Sequence, residues 1–578
     1  MTETDYKELA ELLFKGEDLK TPEEYEALYP YRKLGNKAEV TRLAPSPTGY
    51  IHLGNLYSAL ADERIAHTKD GVFFLRIEDT DAKRKVDGAV ELVIDALRYF
   101  GIEFDEGAGF PEDALNNVYG PFIQSERVSI YHTYAKKLVE EGKAYPCFAT
   151  EEELAAVREQ QEKNNELTGY YGKYAVSRNL ELDEIKKNLG EGKPYVVRLK
   201  SEGSPDKEFE FQDEIKKKVK LPENIHDVVI LKKDGIPTYH FAHVVDDHLM
   251  RTTLVLRGGE WLASLPIHIE LFNALGWKPP KYAHTAHMMK IDEETGGKRK
   301  LSKRKDPEMG LSFYKEAGFH PECIKIYLMT LLNSNFEEWH KQNPGKSIEE
   351  FPFSVKHMNN SGALFDIDKL ENICKNELSQ MGVVELYNFL AEWAHEYEPE
   401  KKKVWFADEN KFVDILMLLM GYGQKRRRKD LINAKQTFEQ MNIFFNEFMP
   451  EREEFPVDND TVVSVLKDYL ASYDYNDTNQ EWFDKLGVIA MTNGFATDRK
   501  AYKEEPEKYK GKWAERFGND NPIHIEIGCG KGNFIVGMAK MYPDVNFIAI
   551  EKVEDVIVMA MEKTVAAELT NVLFMDMD

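Results

Sequence analysis

Residues 41–54, TRLAPSPTGYIHLG, leave few options for the chain around them. An apolar run begun at Val40 closes with Leu43 and Ala44, and Pro45, Pro47 and Gly49 then force a turn. His52-Leu53-Gly54 opens a helix that carries Leu56, Leu60 and Ile65 on one face. A strand running through a tight turn into a helix start presents unpaired N–H groups and a positive dipole end, which suit a phosphate. Gly54 lets a flat ligand come close, and His52 can donate to a phosphate oxygen. A second segment, KLSKR at 300–304, reads as a basic loop flanked by Gly296 and Gly297, with Lys298, Arg299, Lys300, Lys303, Arg304 and Lys305. Cations on such a loop suit a triphosphate whose charge must be neutralised as pyrophosphate leaves. Either segment alone is an ordinary helix start or a solvated loop. Their pairing in this order carries the signal.

The pair resembles the two signature segments of class I aminoacyl-tRNA synthetases. APSPTG at 44–49, RIEDTD at 76–81, PTYHFAHVVDDHLM at 237–250 and LRGGEWL at 256–262 are similar to the glutamyl-tRNA synthetase family over roughly residues 38–511. The resemblance implies a multi-domain α/β protein whose Rossmann-type core is interrupted by an inserted tRNA acceptor-binding segment and followed by an all-α anticodon-binding region. The corresponding division is a helical leader (1–37), the first half of the nucleotide fold (38–128), the insertion (129–234), the second half with the basic loop (235–312), and the helical stem-contact and anticodon-binding region (313–511). The implied reaction joins glutamate to tRNA-Glu at the expense of ATP, with Mg²⁺ sharing the charge neutralisation and tRNA-Gln open as a second acceptor. Rival readings are a methyltransferase with an accessory RNA-binding part, an inactive synthetase-like RNA binder, and glutaminyl specificity.

By this resemblance His52 and Lys303 are catalytic. His52, Gly54, Glu260, Lys300, Ser302, Lys303 and Arg304 hold ATP. Glutamate is held by Arg42, Ala44, Ser46, Glu78, Tyr239, His243 and Arg257. Arg42 is the residue expected to read the side-chain carboxylate, because a guanidinium offers a planar two-pronged donor, with Arg257 as second candidate. Glu78 follows the buried-strand run at 71–77, where carboxylates beyond a strand end can meet an amino group. Asp79 and Thr80 have a second reading as caps of a helix at 87–100. Residues 238–245 read as a strand with Tyr239 and His243 on one face, and Asp246 and Asp247 as caps of a following helix. Family members commonly carry Asn at the place of His243. Ala44 and Ser46 favour glutamate over glutamine.

With 578 residues the chain exceeds one core and implies several domains. The net charge of −25 argues against a nonspecific nucleic-acid binder but allows a local basic surface. Basic runs stand at 216–220, 298–305 and 425–429, and Arg426, Arg427, Arg428 and Lys429 are candidate tRNA contacts or a solvated helix end. No apolar run is long enough for a bilayer, the N-terminus lacks an export segment, and four scattered cysteines fit reduced thiols, so a cytoplasmic monomer is expected. Some relatives hold zinc in the insertion through Cys-x-Cys and Cys-x-His. Here Cys147-Phe-Ala149 and Tyr174-Ala-Val176 stand in those places, so no zinc or other structural metal is expected and Cys147 reads as a small buried residue. Helix-period spacing predicts helices at 321–332, 412–420, 429–448, 461–473 and 481–491.

From Lys512 the sequence changes character. A strand at 523–527, a Gly-rich turn (Gly528, Gly530, Gly532), a helix at 533–541 and a strand ending before Glu551 resemble the S-adenosylmethionine-binding start of a tRNA guanine-N7 methyltransferase. Gly528, Gly530 and Glu551 are the candidate contacts. Residues 512–578 are expected to be a truncated piece of that fold, left by a fusion or a joining artefact and without methyl-transfer activity.

Overall fold

The computed structural model describes residues 1–47, 51–81, 88–111, 117–292, 295–302, 304–360, 362–448, 457–474, 477–494, 511–552, 554–567 and 569–576. The chain divides into two compact units, Met1–Met449 and Pro450–Asp578. The first unit is built around parallel strands β1 (Val40–Leu43), β2 (Val72–Leu75), β3 (Glu106–Gly107), β4 (Leu254–Gly258) and β5 (Lys281–Thr285). β1 pairs with β2 and β2 with β3, while β4 pairs with β5, all in parallel. Thr253 N–H donates to the Val40 carbonyl at 3.0 Å and sets β4 against the free side of β1. Strand order therefore runs outward from β1 in both directions, and the switch point lies between β1 and β4. The sheet is buried on both faces, as parallel sheets require. Phe73 and Leu75 of β2 pack with Leu56 and Leu60 of helix α1 (Leu53–His67), whereas Phe74 packs with Phe241 and Val244 on the other side.

Residues 239–249 form a helix, α2 (Tyr239–Leu249), where a strand was expected. The spacing of Tyr239 and His243 fits both periods: two strand repeats or one helical turn. Thr238, in an extended conformation at the N-cap, starts the helix directly after Pro237. Asp246 and Asp247 accordingly cap nothing. They sit in the last turn of α2, fully buried, and form ion pairs with Arg127, Arg76 and Arg42.

The leader forms two capped helices, Glu3–Leu13 and Pro22–Leu28. It is bound to the core behind α2: Arg251 donates to the Tyr29 carbonyl and pairs with Glu26, which also holds His248 at 2.6 Å. In the insertion, Ala144–Cys147, Val196–Leu199 and Val229–Leu231 make a small antiparallel sheet, and Cys147 is buried there beside Tyr145 and Tyr170. The hairpin Glu208–Asp213/Lys217–Pro222 joins the edge of β5 through Asp213 and Tyr282. The first part of the basic segment is also strand and not loop: Lys298–Lys300 pairs with Met288–Ile291, which pairs in turn with Ala363–Leu364. Arg299 is locked between Asp292 and Asp306, so this cation is structural.

Further on the chain is helical. Helices span Pro321–Leu332, Glu409–Met420, Asn459–Ser472 and Asn479–Thr492, close to the expected places. The helix expected over 429–448 is only Ala434–Met441, because Asn433 caps it through the Gln436 N–H and residues 425–433 run as bends and irregular chain. In the second unit, β6 (Ile523–Ile527), β7 (Asn546–Glu551) and β8 (Val572–Asp576) lie in parallel in that order, with helices α3 (Asn533–Met541) and α4 (Glu554–Ala566) as crossovers. Ile525 and Ile527 of β6 are 61% and 83% exposed, so one side of this sheet carries bare apolar side chains.

Candidate functional site

A cleft of about 630 Å³ opens at the carboxyl ends of β1, β2, β4 and β5, over the switch point. Its wall includes Arg42 near the end of β1, Ala44 and Ser46 after it, Glu78 after β2, Arg257 at the end of β4 and Glu260 just beyond, Tyr239 from α2, and His52 and Gly54 at the start of α1. Lys300 and Leu301 of the basic segment line the same cleft, and the His52 backbone bridges to Gly310 just beyond that segment. Two stretches far apart in sequence thus close on one space. Ser302 and Arg304 stand outside the lining, and Lys303 lies outside the described residues.

On the phosphate side, His52 is the N-cap of α1. Its Nδ1 accepts from the Asn55 N–H at 3.3 Å, while the Asn55 side chain accepts from the His52 N–H. The accepting nitrogen is unprotonated, so neutral His52 carries its ring hydrogen on Nε2 as a donor. A Cβ on Gly54 would meet the His52 ring at 3.1 Å. Gly54→Ala is therefore expected to push that ring aside and lower kcat roughly tenfold or more in an adenylate-forming assay, with little change in melting.

The acid-binding side is an alternation of buried charges. Arg42 is 5% exposed and donates through Nε to Asp247. Arg76, fully buried behind it, donates to Asp247 at 2.7 Å and to Glu78 at 3.0 Å. Burial pushes the Glu78 carboxyl above its ordinary range, against the pull of Arg76 and Arg42. Asp62 lines the cleft from α1, and neither of its carboxyl oxygens receives a hydrogen bond; burial raises this carboxyl well above the usual range, against the pull of Arg42. Tyr239 packs against Trp261 with ring centroids 4.6 Å apart and planes tilted, and burial pushes its phenol up to about 12, keeping it a neutral donor. His243 lies one layer deeper, fully buried beneath Tyr239 and bonded to the Tyr282 hydroxyl at 3.0 Å. Asp79 is not among the cleft-lining residues: it accepts from Ser125 N–H and Oγ–H, and the helix Ala89–Tyr99 starts from Gly88.

Comparison with known proteins shows the family. The family model for class I tRNA synthetases (E and Q), catalytic domain, matches residues 39–372. A glutamate–tRNA ligase of Acetivibrio thermocellus is 53% identical over 509 residues, covering 88% of this chain and 92% of the relative. The chain belongs to the glutamate–tRNA ligases. A glutamate–tRNA ligase of Clostridium perfringens is 42% identical over 89% of this chain and 94% of its own length. Among solved structures, the crystal structure of a glutamate tRNA ligase from Elizabethkingia meningosepticum in complex with its amino acid is 29% identical, with a TM-score of 0.63 over 80% of this chain and 91% of that one. Residues 520–578 match a methyltransferase family instead.

For a glutamate–tRNA ligase, the residues missed in the sequence are Arg76, Arg127, Asp246 and Asp247 behind the wall, and Asp62 in the wall itself. Their signal was available, since charged residues inside apolar strands and helices are rarely buried unless paired. Among the candidate tRNA contacts, Arg426 and Lys429 are exposed. Arg428 pairs with Asp430, and Arg427 donates to the carbonyls of Ser379 and Met381, which makes it a staple for that turn. In the second unit, Gly528 and Gly530 adopt positive φ, and the Glu551 carboxylate accepts from the Gly530 N–H at 2.9 Å. All four cysteines are buried and unpaired. Among the described residues no group of three His, Cys, Asp or Glu side chains is arranged to hold a metal ion, and no helix is long and apolar enough to cross a membrane.

Proposed function

We propose that this chain activates glutamate with ATP and transfers it to the 3′ end of tRNA-Glu. The α-carboxylate of glutamate attacks the α-phosphorus of ATP, giving glutamyl-adenylate and pyrophosphate. The terminal adenosine hydroxyl of tRNA then takes the glutamyl group and releases AMP. Both nucleophiles belong to substrates, so the protein supplies placement and charge stabilisation. The observation that carries this reading is the shared cleft: the α1 start and the basic segment meet the space that Arg42, Tyr239 and Arg257 enclose.

In this reading Nε2–H of His52 and the backbone at Gly54 meet the phosphates. Lys300, Lys303 and Arg304 stabilise departing pyrophosphate with Ser302, and Glu260 lies toward the adenosine. ATP enters as its magnesium complex, with the ion carried on the phosphates. Arg42 and Arg257 take the two carboxylates of glutamate, and Glu78 the ammonium, with Tyr239 over the side chain and His243 supporting it. Ala44 and Ser46 leave room beside Arg42. Arg426, Arg428 and Lys429 contact the RNA backbone, and the enzyme works as a cytoplasmic monomer. Aminoacylation of purified tRNA-Glu and tRNA-Gln with either amino acid tests the proposal: glutamate on tRNA-Glu is expected, and glutamine on either tRNA would refute it. Charging of tRNA-Gln with glutamate would mark a broader tRNA choice. The Gly528–Glu551 segment would face S-adenosylmethionine, and radiolabel transfer to tRNA is expected to be absent.

The direction of the Glu78 shift gives a pH dependence. A carboxyl raised by burial takes up its proton earlier on acidification than an ordinary one. The anion that meets the ammonium is therefore lost as pH falls, and the KM for glutamate should rise toward acid while that for ATP stays flat. Glu78→Gln should start with a high KM, roughly tenfold up, and remove the acid rise.

A further inference from the structure

Arg257 is held differently from the other arginines of the cleft. Arg42 and Arg76 are bonded to carboxylates. The hydrogen bonds of Arg257 go to imidazole nitrogens. Its Nε donates to His284 Nε2 at 3.0 Å, and its Nη1 reaches His268 Nδ1 at 3.0 Å. The guanidinium lies over the Tyr282 ring at 4.8 Å. The remaining nitrogen, Nη2, is buried without a hydrogen-bond partner, on a side chain that lines the cleft.

These contacts fix every proton in the chain of groups. A ring nitrogen that accepts from arginine is unprotonated, so the opposite nitrogen carries the hydrogen. His284 must then donate through Nδ1, which stands 2.6 Å from Asp213 Oδ2. His268 must donate through Nε2, which stands 3.0 Å from His240 Nδ1. Asp213 is itself fixed, because Oδ1 accepts from the backbone N–H groups of Ile215 and Lys216 at 2.9 and 2.7 Å. Asp213, His284 and His268 are fully buried. Burial and the neighbouring Arg257 charge hold His268 well below, and His284 below, the usual imidazole range, which keeps both neutral acceptors. Neutral acceptors orient a guanidinium without cancelling its charge, as carboxylates would.

We propose that Asp213, His284 and His268 are positioning residues that set the rotation of the Arg257 guanidinium, so that its uncompensated Nη2 edge meets a carboxylate of the bound amino acid. This rests on the reading that Arg257 holds glutamate. None of the three touches substrate; they act through Arg257.

The test uses the full chain in tRNA-Glu aminoacylation with glutamate and ATP varied separately. In Asp213→Asn the amide oxygen can keep the two backbone N–H groups, while the amide nitrogen donates to His284 Nδ1. The ring hydrogen then moves to Nε2 and opposes the Arg257 Nε–H, so the KM for glutamate should rise roughly tenfold or more with the KM for ATP unchanged. His284→Leu should match it. His284→Gln, whose side-chain oxygen can accept from Arg257, should recover most of the loss. If Asp213→Asn does not fold, the His284→Leu to His284→Gln ratio of glutamate KM values carries the test. Equal KM values for those two variants, or a parallel rise in the KM for ATP, would overturn the positioning role. Arg257→Leu separates the two levels: an unchanged glutamate KM there refutes the substrate contact itself, whereas a large rise alongside silent Asp213 and His284 variants refutes only the relay.

Discussion

His52→Ala is expected to lower kcat for tRNA-Glu charging by about 10²–10³-fold while the KM for glutamate stays near its wild-type value. The size follows from removing one preorganised donor to charge that develops at a transferring phosphoryl group. Only Nε2 can supply that donor, because Nδ1 is committed to the Asn55 N–H. Losing the cap also removes about 1 kcal/mol from the start of α1. His52→Asn discriminates between the two roles: asparagine is a good N-cap, so stability should return while the rate does not. Single-turnover pyrophosphate release measures the chemical step directly. A rate for His52→Ala within threefold of wild type would remove His52 from the mechanism.

The largest effect on stability is expected from Arg76→Met. Arg76 is the hub of the buried charges behind the cleft, donating to Asp247 and to Glu78 with no exposure to solvent. Removing it leaves two carboxylates buried and facing each other across the space of a guanidinium, a loss of about 3–5 kcal/mol. Burial alone would drive those carboxyls to take up protons, so the variant should be least unstable at acid pH, opposite to the trend for an ordinary salt-bridged protein. Urea unfolding followed at two pH values measures both the midpoint and the reversal. A variant as stable as the wild type would show that Arg42 alone can neutralise the cluster.

Where the chain chemistry was local, the sequence could be read. The capped start of α1 and the strands β1, β2, β6 and β7 follow from glycine and apolar runs, while the turn expected through Gly49 lies partly outside the described residues. The cleft wall was legible through the family resemblance, which named Arg42, Glu78, Arg257 and Glu260. What could not be read depends on partners distant in sequence. Four-residue spacing at Tyr239 and His243 cannot distinguish a strand from a helix; the helix is what brings Phe241 and Val244 into one buried cluster with Phe74 of β2. His284 lies outside every segment that stood out, because its meaning comes from Asp213 on one side and Arg257 on the other. Arg427 looked like an RNA contact as part of a basic run, and only the fold reveals the carbonyls it holds. A basic run reports charge; it does not report which of its members already has work inside the protein.

The three-stranded ribbon of Lys298–Lys300, Met288–Ile291 and Ala363–Leu364 has a mechanical corollary. Lys300 pairs with Met289, and Met289 pairs with Leu364, two residues before the aspartate that caps helix Ile367–Gln380. Lys300 thus reaches the cleft from a ladder whose far strand leads into the start of that helix, and its anchor is this small sheet and not the main one.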